Sequence, residues 1–204
     1  MITIINYGIG NINAFVNIYK RFDIPVNIAV NVDDLNNVDK IILPGVGSFD
    51  YAMQRLADSG MKDRLNELVL EEKKHVLGIC VGMQLMAESS DEGTLDGLGW
   101  IKGHVKKINV ENVHHRSKLP HMGWNDVEPT IHHPIFDKMN DKQLFYFLHS
   151  YYYKLQNPEN CLGVTNYGEK LASVIGRDNI LGIQCHPEKS HEAGELFLKN
   201  FAKL

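Results

Sequence analysis

Val76-Leu77-Gly78-Ile79-Cys80-Val81-Gly82-Met83-Gln84 is the stretch on which the reading of this chain turns. Val76 to Ile79 is a short, continuous apolar run, as in strands buried on both faces of a parallel sheet. It breaks at a Gly-x-Cys-x-Gly turn, and a helical pattern resumes from Met83 to Glu88. A nucleophile on a strand-to-helix turn must adopt a strained backbone, and its neighbours must pass very close to one another. Glycines on both sides remove the Cβ clashes. The N-terminus of the following helix points at the sulfur and favours the thiolate, and the same turn can aim the Val81 N–H at a developing oxyanion. A lone strand-end cysteine is more often buried and inert. The flanking glycines and the strand-then-helix context argue for a nucleophile at Cys80.

Upstream of this turn the pattern is β-α-β. Ile2 to Asn6 is a β-rich run ending in Tyr7-Gly8-Ile9-Gly10, and Asn11 to Phe22 spaces Ile12, Phe15, Val16 and Tyr19 along one helix face. Pro25 to Val30 and Lys40 to Leu43 are further strands, the latter stopped by Pro44-Gly45-Val46-Gly47. Helical patterns run from Phe49 through Glu72 with an interruption near Gly60. These features predict an α/β fold with a mostly parallel central sheet and helices on both faces. Downstream, Ile101–Ile108, Leu144–His149, Cys161–Asn166, Leu171–Ile175 and Ile180–Gln184 are short strand candidates with little helix between them, read as an antiparallel extension of the sheet. Ser190 to Leu204 closes the chain as an amphipathic helix with Leu196, Phe197, Phe201 and Leu204 inward. No repeat, low-complexity tract or linker divides residues 1–204, a length that suits one α/β domain.

Ile180-Leu181-Gly182-Ile183-Gln184-Cys185-His186-Pro187-Glu188-Lys189-Ser190 supplies what a cysteine nucleophile needs. An imidazole must take the thiol proton, and an acceptor must fix the imidazole's tautomer. His186 follows a strand on a bend stiffened by Pro187, and Glu188 stands two residues on, where extended chain returns to the same face. With ten histidines in the chain, one beside some cysteine is expected by chance, so this context is what singles out His186. His75, His104, His114, His115, His132, His133 and His191 read as surface or loop residues. No H-x3-H or C-x2-C spacing supports a zinc site, and no metal is expected.

The composition excludes several classes. Apolar residues make up 44% and charged residues 23%, with a net charge of −4, so the chain is expected to be globular and to lack a nucleic-acid footprint. Lys106-Lys107 is the longest basic cluster. No apolar run reaches the length of a membrane span, and Met1-Ile2-Thr3-Ile4-Ile5 reads as a strand, not as a signal peptide. Three cysteines without a C-x-x-C pair (Cys80, Cys161, Cys185) point to a reducing, cytoplasmic setting. Gly8-Ile9-Gly10 lacks the third glycine of a dinucleotide site, with Asn13 in its place, and no acidic residue ends the second strand. No cofactor is expected.

Taken together, Pro44-Gly45-Val46-Gly47, Gly78-Ile79-Cys80-Val81-Gly82-Met83-Gln84 and His186-Pro187-Glu188 resemble the oxyanion strand, nucleophile elbow and His-x-Glu segment of the class I (triad-type) glutamine amidotransferases. The resemblance runs from Ile4 to Phe201. Asn6-Tyr7-Gly8-Ile9-Gly10-Asn11, Pro120-His121-Met122-Gly123-Trp124-Asn125, Phe145-Tyr146-Phe147-Leu148-His149-Ser150-Tyr151 and His186-Pro187-Glu188-Lys189-Ser190 are similar to the glutaminase subunits of imidazole glycerol phosphate synthases. Those subunits dock on a (βα)8-barrel cyclase and pass ammonia to it in histidine biosynthesis. The resemblance implies glutamine as substrate and a heterodimer with such a cyclase. It implies Cys80, His186 and Glu188 as the triad, and Val46 and Val81 as the residues whose N–H groups form the oxyanion hole. It places Gly47, Gln84, Glu92, His149, Ser150 and Tyr151 around bound glutamine, and Asn11, Trp124 and Lys189 towards the partner. A peptide at Val46 flanked by Gly45 and Gly47 can rotate, so that its N–H is withheld or supplied. Val81 stands where leucine is usual in that family and Cys185 where phenylalanine is. Gly97-Leu98-Gly99-Trp100-Ile101 with the elbow also resembles paralogous subunits that serve amidotransfer in surface-polysaccharide sugar synthesis. The glutaminases of anthranilate and GMP synthesis, and a non-catalytic module on the same scaffold, are weaker matches.

Overall fold

A computed structural model describes residues 1–113, 118–140 and 143–204. The strands are β1 (Ile2–Ile5), β2 (Val26–Ala29), β3 (Lys40–Gly45), β4 (His75–Cys80), β5 (Ser89–Ser90), β6 (Gly103–Lys107), β7 (His121–Pro129), β8 (Gln143–His149), β9 (Tyr151–Leu155), β10 (Cys161–Asn166), β11 (Lys170–Arg177) and β12 (Ile180–Ile183). The helices are α1 (Ile12–Arg21), α2 (Phe49–Asp58), α3 (Lys62–Asn66), α4 (Val81–Gln84) and α5 (His191–Lys203).

Nine strands form one sheet in the order β2-β1-β3-β4-β12-β11-β10-β7-β8. The pairings from β2 to β12 are parallel and those from β12 to β8 antiparallel. Ile4, Ile5, Ile41, Ile42, Leu43, Val76 and Leu77 are fully buried, which is why β1, β3 and β4 show no polar alternation in sequence. Tyr19 of α1 donates its hydroxyl to the Leu198 carbonyl of α5 at 3.2 Å, tying these two helices together, while α2 packs on α4. In α5, Phe197, Leu198 and Phe201 are buried, and the expected inward residues Leu196 and Leu204 are only half-buried.

Three expectations change. Ile180–Ile183 is not part of the antiparallel extension alone: β12 inserts at the centre, parallel to β4 with Ile183 opposite Ile79. That placement carries the chain after β12 to the nucleophile. The strand expected at Ile101–Ile108 leaves the main sheet and forms, as β6, a separate three-stranded sheet with β5 and β9. The helix expected over Met83–Glu88 is a single turn, α4. Leu98 N–H takes the Leu85 carbonyl at 2.7 Å, Gly99 N–H that of Ala87 at 3.0 Å and Ile101 N–H that of Met86 at 3.1 Å. A docked loop has replaced the bonds that would have continued the helix.

Candidate active site

β4 ends on Cys80 with φ = 56° and ψ = −114°, a left-handed region that a residue with a side chain rarely occupies. The surrounding backbone enforces it. A Cβ on Gly78 would lie 2.6 Å from the Gly82 carbonyl oxygen, one on Gly82 would lie 1.9 Å from the Leu43 carbonyl oxygen, and one on Gly45 would lie 2.3 Å from Gly82 N. The elbow therefore presses directly on the end of β3, where Gly45 stands in register with Cys80. Val46, one residue beyond β3, and Val81, the first residue of α4, therefore follow two strand ends that lie side by side. The rotation expected at Val46 has one pinned side, because Gly45 is packed against the elbow. Gly47, with φ = 91° and only Tyr51 nearby, is the free side.

His186 reaches Cys80 from the neighbouring strand. Its N–H donates to the Tyr146 carbonyl at 2.9 Å, and Ser190 Oγ donates to its carbonyl at 2.6 Å, so the backbone after β12 is fixed at both groups. His186 Nδ1 lies 2.9 Å from Glu188 Oε1 with both side chains almost wholly buried, and the Cys80 sulfur is the ring's other hydrogen-bond partner. Burial alone would lower the imidazole pKa, but the Cys80 sulfur and the Glu188 carboxylate outweigh it and push the value up to about 10. The surroundings of His186 thus favour its imidazolium form beside the sulfur. α4 is a single turn, so little helix dipole acts at Cys80.

A cavity of ≈ 240 Å³ opens on Cys80 and Val81 and is lined by Gly47, Gln84, Glu92, His149, Ser150 and Tyr151, together with Pro120 and Leu148. Every residue that the resemblance placed around glutamine borders it. Glu92 also accepts the Phe49 N–H at 2.9 Å, which links the cavity wall to the start of α2. His149 is held down at about 4 by burial, with the Tyr151 carbonyl bond opposing and the His186 charge assisting. Asn11 and Lys189 are exposed, as is Trp124, whose ring stacks on His191 with centroids 5.1 Å apart.

Three residues were not singled out from sequence. Gln184 Nε2 lies 3.9 Å from Cys80 Sγ, Tyr7 donates to the Pro44 carbonyl at 2.5 Å beneath the oxyanion turn, and His121 lies behind the cavity. Gln184 was within reach of the two-residue spacing that linked His186 to Glu188. The expected surface histidines divide: His104 sits on β6 bonded to Asp91 at 2.6 Å and Ser89 at 2.8 Å, and His133 accepts the Ile135 N–H at 3.1 Å. His114 and His115 lie outside the described residues.

Solved structures share this architecture. A crystal structure of a glutamine amidotransferase matches with TM-score 0.75 at 16% identity over 100% of this chain and 99% of that one. PurLQS from Thermotoga maritima matches with TM-score 0.75 at 17% identity over 99% and 97%. Relatives in sequence extend end to end. The imidazole glycerol phosphate synthase subunit HisH of Bdellovibrio bacteriovorus is 49% identical over 100% of both chains. That of Leptospira interrogans is 44% identical, and HisH 2 of Pseudomonas aeruginosa 43%, each again over 100% of both. The family model described as glutamine amidotransferase class-I matches residues 3–204. A match of that extent, on a chain whose cysteine elbow, buried His–Glu pair and cavity stand as described, makes this protein a member of the class-I glutamine amidotransferase family.

Proposed function

We propose that this chain, as one domain, hydrolyses glutamine to glutamate and ammonia as the glutaminase subunit of an imidazole glycerol phosphate synthase. The observation that carries the reading is the buried Cys80–His186–Glu188 set opening on a cavity of ≈ 240 Å³, together with 49% identity to a HisH subunit over the full length. The Cys80 thiolate attacks the side-chain amide carbon, and the N–H groups of Val46 and Val81 take the charge that develops on oxygen. Each such donor supplies about 3 kcal/mol of transition-state stabilisation. The His186 imidazolium gives its proton to the departing ammonia, leaving a γ-glutamyl thioester on Cys80. Neutral His186 then takes a proton from water, hydroxide adds to the thioester, and glutamate and the thiol are released. Glu188 keeps Nδ1 protonated, so that Nε2 serves the sulfur and the water. Ammonia passes to a (βα)8-barrel cyclase in a heterodimer. Catalysis by a free thiol suits the reducing cytoplasm.

Cys80→Ala is expected to cut glutamine hydrolysis at least about 10³-fold with the fold intact. A glutamine-like chloroketone should label Cys80 far faster than the other two thiols. Cys185 is wholly buried with its thiol pushed well above its ordinary range by burial, and burial also raises Cys161. Equal labelling of the three, or turnover surviving in Cys80→Ala, would remove the assignment.

A further inference from the structure

Behind the cavity wall runs a chain of buried hydrogen bonds that the reaction above does not use. The Tyr151 carbonyl oxygen lies 2.8 Å from His149 Nδ1 and 3.1 Å from Gln84 Nε2. A carbonyl only accepts, so His149 Nδ1 carries the hydrogen and, in the neutral ring, Nε2 is an acceptor. That Nε2 lies 2.9 Å from His121 Nδ1, which must donate. His121 Nε2 is then an acceptor, and it faces Asn125 Nδ2 at 3.1 Å. The Asn125 amide is oriented independently: its Oδ1 accepts the Asp126 N–H at 2.8 Å, and its Nδ2 also donates to the Asn166 carbonyl at 3.1 Å. The two ends of the chain, read separately, give the same tautomer for both rings. A second proton on His149 would set N–H against N–H across the 2.9 Å gap, and one on His121 would set N–H against the Asn125 amide N–H at 3.1 Å. Both rings are buried, at 3% and 7% exposure, and the low value at His149 agrees with a neutral imidazole there. The His121 ring is further held between Phe147 and Tyr167, with centroids 4.7 Å and 3.9 Å away.

We propose that His121 is a positioning residue for glutamine. Donating from Nδ1 into His149 Nε2, it locks the tautomer in which His149 grips the Tyr151 carbonyl and so fixes the Ser150-Tyr151 wall of the cavity. This rests on the glutaminase reading and adds to it a residue that does not border the cavity. The same carbonyl is tied to Gln84, which donates to Gln184 Oε1 at 3.0 Å, and Gln184 in turn approaches the Cys80 sulfur. Wall and nucleophile therefore share one network, with His121 on the wall side of it. Loss of its donor acts on substrate binding more than on chemistry.

Two variants separate the hydrogen bond from the space His121 fills. His121→Phe keeps a ring to stack on Phe147 and Tyr167 and removes both nitrogens. His121→Asn places an amide N–H near the lost Nδ1 and restores the donor. In the complex with the cyclase and its ligand, His121→Phe is expected to raise KM for glutamine about tenfold with kcat within about twofold, because a buried acceptor is left unmet. His121→Asn should recover most of that loss. Nitrogen-15 spectroscopy of the histidine side chains should find His149 protonated on Nδ1 in the wild type and in His121→Asn, and shifted towards the Nε2–H tautomer in His121→Phe. The proposal is overturned by a wild-type KM in His121→Phe, by a loss in kcat alone, or by equal losses in the two variants. Should His121→Phe not fold, an Nε2–H tautomer of His149 in the wild type overturns it equally. A wild-type complex that turns over no glutamine removes the functional reading instead, while the tautomer measurement stands.

Discussion

His186 sits at a balance of opposing effects, and the balance sets a measurable pH. Burial works against its charge; the Cys80 sulfur and Glu188 carboxylate reverse that and carry the value to about 10. A histidine raised above its ordinary 6.5 adds stability that is complete below that pH and is lost as pH rises through about 10. In the proposed reaction the same proton is the one given to departing ammonia, so kcat/KM is expected to fall on its alkaline side near pH 10. Glu188→Gln removes one of the two causes that hold the proton, and its alkaline limb should move to lower pH with a reduced kcat. Rate profiles of the wild-type and variant complexes check this, and an unmoved limb would take Glu188 out of the triad. This part of the site was legible because each member announces itself locally, Cys80 between glycines and His186 beside Pro187 and Glu188. Gln184 and His121 were not. Their roles depend on partners 104 and 28 residues away in the chain.

At the scale of elements, the elbow shows why glycine is required for space as well as for turning. A methyl on Gly82 would meet the Leu43 carbonyl at 1.9 Å, and that carbonyl belongs to a central strand that cannot give way. Alanine's better helix propensity returns about 1 kcal/mol, less than the clash. Gly82→Ala is therefore expected to cost about 3 kcal/mol or more. Gly60→Ala, with φ = 72° and nothing within 4 Å, should cost only the backbone strain, about 1 kcal/mol. Urea unfolding midpoints at constant slope measure both, and a reversed order would sink the packing argument. The parallel half of the fold was readable because its strands are unbroken apolar runs beside recognisable helix faces. β7 and β9 were not read as strands. In β7 the outward side carries Met122 and Trp124, exposed at 64% and 47%, while His121, Gly123 and Asn125 face inward, so over this stretch the usual apolar-in alternation is inverted. The end of α4 was misjudged for a related reason: the loop that displaces its hydrogen bonds lies more than ten residues downstream.

Across the whole molecule, the same alternation that turns His121, Phe147 and His149 inward turns Met122, Trp124, Leu144 and Leu148 outward. β8 is the edge of the nine-stranded sheet, and natural edges of this kind are seldom left apolar without something to cover them. Leu148 belongs to this outward set and also borders the cavity that opens on Cys80, so under the proposed function a partner seated here would meet ammonia where it is made. Trp124 stacks on His191, and Lys189 lies 5.8 Å from the Tyr146 ring, so the flat aromatic side chain is already held in place. A large, pre-ordered aromatic residue amid smaller apolar neighbours is the type that dominates interface energy. Trp124→Ala is expected to weaken binding to a (βα)8-barrel cyclase by about 2 kcal/mol, read by calorimetric titration. With the cyclase and its ligand present, glutamine turnover by the wild-type chain should rise by orders of magnitude, and glutamine-dependent cyclase activity should require both proteins. With free ammonia the cyclase should work alone. Trp124→Ala should lose the first activity at low concentrations and recover it at high concentrations, because docking and not chemistry has been weakened. Full turnover without any partner, or no binding to the cyclase, would remove the histidine-pathway assignment. Binding to an ATP-dependent sugar amidotransferase would keep the glutaminase and change its pathway.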